Sequence, residues 1–317
     1  MPDLTRKFGA IIKKYPMAYL LRRSMNYCAE LVEKFILQKE YKPLGVQLFI
    51  LGLPRSGTTL IYQYIVSRLK VAYFTNSVGY FPGAPCITTF VEHKVFGQYR
   101  SDFKSHYGKV IGPAAPREAG GFWIRFFDMN EYVNFNDLNE KDVYYLRNII
   151  ALISRIFGGA PFVNKNVKHL LRINALSNIF PESLFLVVER DMEDVALSIL
   201  RGRYENLSDI TQWWSVRPPN YTTLKNLPVI EQVAHQCTSL QSRMEKDLEH
   251  LPGKRVIRIR YEDFCKNPEW LIDRLTSNIN AKKTDVSAQT SFNINHNEAQ
   301  TPEEFVLGSI VKNLKDL

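Results

Sequence analysis

The apolar residues of the chain form short runs that predict strands alternating with helices. Residues 46–51, 161–164, 183–188 and 255–260 have the length of strands, and the first is almost wholly apolar, as expected of a strand buried on both faces. Helical length and composition occur in residues 58–69, 170–179, 193–201, 229–251 and 268–277. This alternation indicates an α/β fold in which helices cover both faces of a central parallel sheet.

Two regions depart from this alternation. Residues 4–12 and 17–37 have amphipathic helical character and predict an N-terminal arm, over residues 1–43, that packs on the core; docking to a membrane surface is the alternative. Residues 72–139 are rich in aromatic residues, glycine and proline and show no sustained period. They predict loops that build a substrate pocket.

Length and composition predict one domain. The chain has 317 residues, of which 45% are apolar and 12% aromatic, enough for one large core. We expect a single domain over residues 1–317, in which the N-terminal arm precedes a core at residues 46–280 and a C-terminal segment at residues 281–317.

The charge balance predicts an anionic partner. The 41 Lys and Arg residues exceed the 32 Asp and Glu residues, for a net charge of +9. A nucleic acid, a membrane surface or a highly charged small molecule would each suit this excess. The basic residues are spread along the chain without a recognisable nucleic-acid-binding module, so we expect no nucleic-acid partner.

Cysteine usage and the N-terminus favour a cytoplasmic location. Cys28, Cys86, Cys237 and Cys265 lie far apart without a C-x-x-C pair, so neither a zinc site nor a disulfide framework is expected. Charged residues interrupt the N-terminal apolar residues, which argues against a secretory signal. The uncharged residues 71–91 are rich in Gly, Pro, Thr and Asn, so they do not predict a transmembrane segment.

The segment LFILGLPRSGTTL, residues 48–60, carries the clearest chemical signal. From Gly52 it follows the phosphate-loop pattern G-x-x-x-x-G-K-[ST] of nucleotide triphosphatases, except that Thr58 replaces the lysine. The glycines permit a tight turn, and the following helix directs its positive end at an anion. Arg55 adds a permanent, forked charge. The loop therefore suits a terminal phosphate that carries a leaving group, without a required metal.

Two segments carry a family resemblance. LPRSGTTL, residues 53–60, resembles the 5′-phosphosulfate loop of sulfotransferases that use 3′-phosphoadenosine 5′-phosphosulfate (PAPS), and FLVVERDMEDVALS, residues 185–198, resembles the family's 3′-phosphate grip. NKNVKHLLRINALSNIFPES and VIRIRYEDFCKNPEWLIDRL also resemble family segments, so the similarity spans residues 46–275. The resemblance implies the three-layer fold of phosphate-loop nucleotide triphosphatases.

The resemblance also implies a donor site. It assigns PAPS binding to Pro54, Arg55, Ser56, Gly57, Thr58, Thr59, Arg190 and Ser198. Arg190 is expected at the carboxyl end of a strand, with Ser198 about two helical turns later on the face that meets the same phosphate.

The same resemblance suggests the reacting groups. It places Arg55 and Lys165 against the charge that develops on the leaving phosphate. An acceptor base is expected between the two phosphate elements; we prefer Glu118, followed by His106, with His93 and His169 as further candidates.

The leading hypothesis is a PAPS-dependent sulfotransferase that acts on a hydroxyl or amine of a small molecule, natural products included, and releases 3′-phosphoadenosine 5′-phosphate (PAP). Alternatives within the family are carbohydrate and protein-tyrosine acceptors. A phosphotransferase or other phosphate-loop nucleotide enzyme would instead need ATP or GTP with magnesium, which the residue Thr58 opposes. A non-catalytic nucleotide-binding protein is the third class. The acceptor, the base and the oligomeric state stay open.

Overall fold

A computed structural model describes residues 16–42, 44–128, 131–294 and 296–315 of the protein. Its centre is a four-stranded sheet in the order β2-β1-β3-β4, with every neighbouring pair parallel. The strands are β1 Gln47–Leu51, β2 Phe162–Lys165, β3 Leu184–Glu189 and β4 Val256–Arg260. Each begins and ends within two residues of its predicted bounds.

Helices occupy most of the connections between strands. The α-helices are α1 Pro16–Ile36, α2 Thr58–Arg68, α3 Pro85–Phe96, α4 Gly120–Trp123, α5 Glu140–Ile156, α6 Ile173–Ile179, α7 Met192–Asn206, α8 Tyr221–Leu224, α9 Val229–Leu248, α10 Tyr261–Lys266, α11 Pro268–Ile279 and α12 Pro302–Lys315. Short 3-10 helices occur at Asn76–Gly79, Phe135–Asp137, Val167–Leu171 and Gly253–Arg255.

Alternate side chains of the sheet enter two hydrophobic cores. Leu48 and Ile50 of β1 pack in one core with α2, α10 and α11, whereas Phe49 and Leu51 pack in the other with α7, α9 and α12. Residues on a strand alternate between the two faces, so a wholly apolar strand is what a doubly covered sheet requires. The predicted α/β fold, with helices on both faces of a parallel sheet, is confirmed.

Several helices differ from the sequence prediction. The helix expected at residues 17–37 is α1, while the one expected at residues 4–12 lies outside the described residues. The residues expected to form pocket loops contain α3, whose exposed Phe90 and Val95 obscure any single apolar stripe. Helices α5, α10 and α12 were not predicted. Residues 170–179 are divided between the end of a 3-10 helix and α6.

The parallel topology gathers the candidate site at one edge. Lys165 pairs with Ile50 in the sheet register, and Val187 pairs with Leu51. The segments that follow β1, β2 and β3 therefore leave the sheet side by side, at the carboxyl ends where open α/β sheets bind ligands.

Candidate active site

The loop between β1 and α2 adopts a constrained backbone. Arg55 has φ +72° and Gly57 has φ +87°, and Ser56 N–H donates to Leu53 O at 3.1 Å to close the turn. A Cβ atom at residue 57 would lie 2.2 Å from the Tyr261 ring, so glycine is required for close packing as well as for conformation. Positive φ at a non-glycine residue costs on the order of 1–3 kcal/mol and is concentrated at functional sites.

The same loop offers donors to an anion. The first N–H groups of a helix have no partner within the helix, so those that open α2 point outward with the positive end of the dipole. Ser56 Oγ is buried and has no hydrogen-bond partner among the described residues. Thr58 and Thr59 add hydroxyl groups beside it. This donor set fits phosphate or sulfate oxygens.

Arg55, Arg190 and Ser198 meet at one point, although they come from two distant segments. Arg55 Nε donates to Ser198 Oγ at 3.0 Å, and Arg190 Nη1 donates to Arg55 O at 3.0 Å. The Arg190 guanidinium lies over the Tyr261 ring, with 4.7 Å between its Cζ and the ring centroid. Two guanidinium groups and a hydroxyl thus converge where the sequence predicts a phosphate grip.

The electrostatics of this cluster are those of a partly desolvated cationic site. Burial lowers the pKa of Arg55, and neighbouring Arg190 lowers it further, whereas Tyr107 and Glu205 raise it. Arginine nevertheless stays charged at neutral pH. Arg190 is 7% exposed and lies 3.8 Å from Asp194 Oδ2, an ion pair four residues along the same segment.

Lys165 connects the phosphate loop to the predicted base. Its Nζ donates to Thr59 Oγ1 at 3.0 Å and forms an ion pair with the Glu118 carboxylate. The Lys165 side chain is 4% exposed and that of Glu118 is 25% exposed, so the acidic partner faces open space. Asn166 Nδ2 donates to Glu118 O at 3.0 Å and holds the loop that carries the acid against the end of β2.

A cavity of about 850 Å³ is bordered by most of these groups, whereas Ser56 and Ser198 are not among the residues that line it. Its lining includes Arg55, Glu118, Lys165 and Arg190, together with His106. The phosphate loop, the candidate base and the candidate leaving-group cations therefore border one space. Over the described residues, no group of three or more His, Cys, Asp or Glu side chains could hold a metal ion.

The comparison with known families matches this architecture. The sequence model of the sulfotransferase family matches residues 47–285. This range contains all four strands and every residue that lines the cavity. The chain belongs to the sulfotransferase family. The activity of this family is sulfuryl transfer.

Individual relatives are distant. Omega-hydroxy-beta-dihydromenaquinone-9 sulfotransferase Stf3 of Mycobacterium bovis is 21% identical, with 82% of this chain and 70% of that protein covered. The protein of the same name from Mycobacterium tuberculosis matches to the same extent. The crystal structure of sulfotransferase STF1 from Mycobacterium tuberculosis H37Rv has a TM-score of 0.50 at 13% identity, covering 99% of this chain and 91% of that one. The fold is thus the phosphate-loop-like α/β fold of sulfotransferases.

The four candidate bases of this sulfotransferase occupy different environments. Glu118 and His106 line the cavity. His169 is fully buried, with Nε2 2.9 Å from Asn164 Oδ1, and burial lowers its pKa well below the usual range. His93 packs on Phe157 at 4.2 Å between ring centroids, outside the cavity lining. Glu118 and His106 therefore lie at the cavity, whereas His169 and His93 lie outside it.

Tyr107 and Tyr261 line the cavity of the sulfotransferase, although the sequence did not single out either as a site residue. Tyr107 covers Arg55, with 4.8 Å between the guanidinium Cζ and the ring centroid, and its hydroxyl hydrogen-bonds to Glu205. Trp214 packs edge-on against Tyr107 at 5.5 Å. Tyr261 also lines the cavity. Its position directly after β4, at the carboxyl edge of the sheet, is the sequence signal that could have identified it.

Proposed function

We propose that the chain is a PAPS-dependent sulfotransferase that transfers a sulfuryl group to a hydroxyl or amine of a small-molecule acceptor and releases PAP. The observation that carries the proposal is the hydrogen-bonded cluster of Arg55, Arg190 and Ser198 beside the phosphate loop. A donor with phosphate groups at both its 3′ and 5′ positions would engage both halves of this cluster.

The residues fit such a donor without a metal. The α2 N-terminus, buried Ser56 Oγ and the Thr58 and Thr59 hydroxyls would hold the 5′ group. Arg190 and Ser198 would hold the 3′-phosphate, because a planar guanidinium and a hydroxyl can share one phosphate. A triphosphate would instead need a lysine and a magnesium-binding hydroxyl in the loop, and Thr58 occupies the lysine position.

Catalysis would rest on placement and charge. The sulfur–oxygen bond to the donor phosphate breaks as the bond to the acceptor forms, so negative charge grows on the leaving phosphate. Arg55, Lys165 and the α2 N-terminus lie at the loop and would stabilise that charge. Removing one such donor typically costs about 2.7–4 kcal/mol in the transition state.

Glu118 is the proposed acceptor base. Its carboxylate lines the cavity and contacts Lys165. An acceptor that gives its proton to Glu118 would therefore lie next to the cations that stabilise the leaving phosphate. The charge of Lys165 orients this carboxylate. His106, on an exposed part of the cavity rim, is the alternative base.

A small-molecule hydroxyl is the acceptor that the relatives favour, because Stf3 is named for an omega-hydroxylated menaquinone derivative. We expect incubation with PAPS and a panel of alcohols, phenols, amines, saccharides and tyrosine peptides to release PAP and to add one sulfuryl mass to a small-molecule member. Arg55→Ala serves as the inactive control. Sulfation of the saccharides or peptides alone would overturn the acceptor class, and phosphoryl transfer from magnesium-ATP would overturn the reaction.

A further inference from the structure

Helix α1 is attached to the body of the protein through its polar side. Glu33 is fully buried and accepts hydrogen bonds from Cys86 N–H at 2.9 Å and Ile87 N–H at 3.0 Å, in the first turn of α3. One turn earlier, Glu30 binds Arg125 Nη2 at 2.9 Å. The acidic residues of α1 are therefore used to hold the helix in place.

The apolar side of α1 faces away from the body. Six large apolar side chains on this side are each between 50% and 80% exposed: Met17, Leu20, Leu21, Leu31, Val32 and Phe35. At about 100° of rotation per residue all six fall on one face of the helix, which extends over about five turns between Met17 and Phe35. A helix that packs on a core normally has the opposite orientation, and exposed apolar patches of this size mark interaction sites.

Helix α3 enlarges the exposed apolar surface next to α1. It contacts α1, and its Phe90, Val91, Val95 and Phe96 are about half exposed or more. No helix within the described residues is long and apolar enough to cross a membrane. The surface thus has the character of an interfacial helix rather than a spanning one.

The charges on and around this surface identify its partner. Arg23 is exposed on α1, and exposed Lys39 and Lys42 follow the helix with one exposed acidic residue, Glu40, between them, whereas the two glutamates of α1 are engaged by the body. The chain as a whole carries a net charge of +9. Two copies of such a chain repel each other, while an anionic lipid surface attracts both the helix and the chain. We propose that α1 docks the protein on an anionic lipid bilayer with its apolar face inserted among the lipids.

Co-sedimentation of the full chain with vesicles tests this docking. Vesicles of phosphatidylcholine with phosphatidylglycerol should bind the protein, and binding should weaken as salt screens the cations. We expect Leu21→Glu combined with Phe35→Glu to lower the partition coefficient at least about tenfold, because two apolar side chains no longer enter the lipid. Arg23→Gln should lower it about fivefold.

The matched control is Phe305→Glu on α12, a phenylalanine that is 62% exposed on a different surface, and it should bind vesicles like the unmodified chain. Thermal unfolding of each variant shows whether it is folded. Absence of vesicle binding, or equal loss in the control, would overturn the docking. So would a dimer in sedimentation velocity that Leu21→Glu dissociates, because a second copy would then cover the face. These readouts need no sulfuryl donor, so they are independent of the proposed function.

Discussion

Replacement of Arg55 by alanine removes the guanidinium that connects the phosphate loop to Ser198 in the proposed donor site. Its guanidinium donates to Ser198 Oγ at 3.0 Å, lies under the Tyr107 ring and borders the cavity, while its carbonyl accepts from Arg190. Only the side-chain contacts are lost in Arg55→Ala, so the phosphate loop should keep its hydrogen bond to Arg190. The variant therefore removes the charge with its hydrogen bond to Ser198 and its contact with Tyr107, while the backbone contact of the loop stays in place.

A charge aimed at the leaving phosphate is worth about 2.7–4 kcal/mol in the transition state, so kcat should fall by about 10²–10³. The assay is PAP release across PAPS concentrations with the acceptor identified by the panel. Arg55→Lys should recover part of the loss, because it keeps the charge but not the forked donors. Ser198→Ala, which removes the partner but leaves the guanidinium, should affect kcat far less. An unchanged kcat in Arg55→Ala would refute the role of Arg55 in leaving-group stabilisation.

Three further predictions concern the donor, the base and stability. Arg190→Ala should weaken PAP binding about thirtyfold in calorimetry, because a charged hydrogen bond is worth about 2 kcal/mol. The control is Arg260→Ala, which should leave PAP binding unchanged, because the Arg260 side chain is 65% exposed at the end of the adjacent strand. Equal effects of the two variants would contradict a specific contact of Arg190 with PAP. Glu118→Gln should lower kcat by about 10²–10⁴-fold because it removes the proton acceptor, whereas His106→Gln should retain kcat; the reverse pattern would assign the base to His106. Burial lowers the pKa of His169, so below about pH 6.5 the unfolded chain binds a proton that the folded chain does not. The free energy of unfolding should therefore fall as the pH drops, by up to about 1.4 kcal/mol per pH unit from this group. In chemical denaturation between pH 7 and pH 5, the free energy of unfolding of His169→Gln should depend less steeply on pH, and an equal dependence in both proteins would contradict the assignment.

The sequence predicted the parts of the structure that follow from local patterns. The apolar run that became β1 and the glycines around Arg55 required a buried strand and a tight loop, and both are present. The eight-residue separation of Arg190 and Ser198 predicted a shared helical face, and the cluster with Arg55 is in accord with it. These features depend on neighbouring residues, so they can be read from the chain.

Other features depend on contacts between distant segments. Tyr107 and Tyr261 reach the cavity only because the chain folds back over Arg55 and Gly57. His169 resembles a catalytic candidate in the sequence but lies in the core, with Asn164 as its partner. The reversed orientation of α1 was equally hidden, because an amphipathic pattern does not tell which face meets the body.

Calorimetric titration of the unmodified protein with PAP tests the central claim most directly, with 5′-AMP and magnesium-ATP as comparison ligands. The cluster of Arg55, Arg190 and Ser198 predicts micromolar binding of PAP without a metal and much weaker binding of 5′-AMP, which lacks the 3′-phosphate. Equal affinity for PAP and 5′-AMP, or a preference for magnesium-ATP, would contradict the proposed donor site.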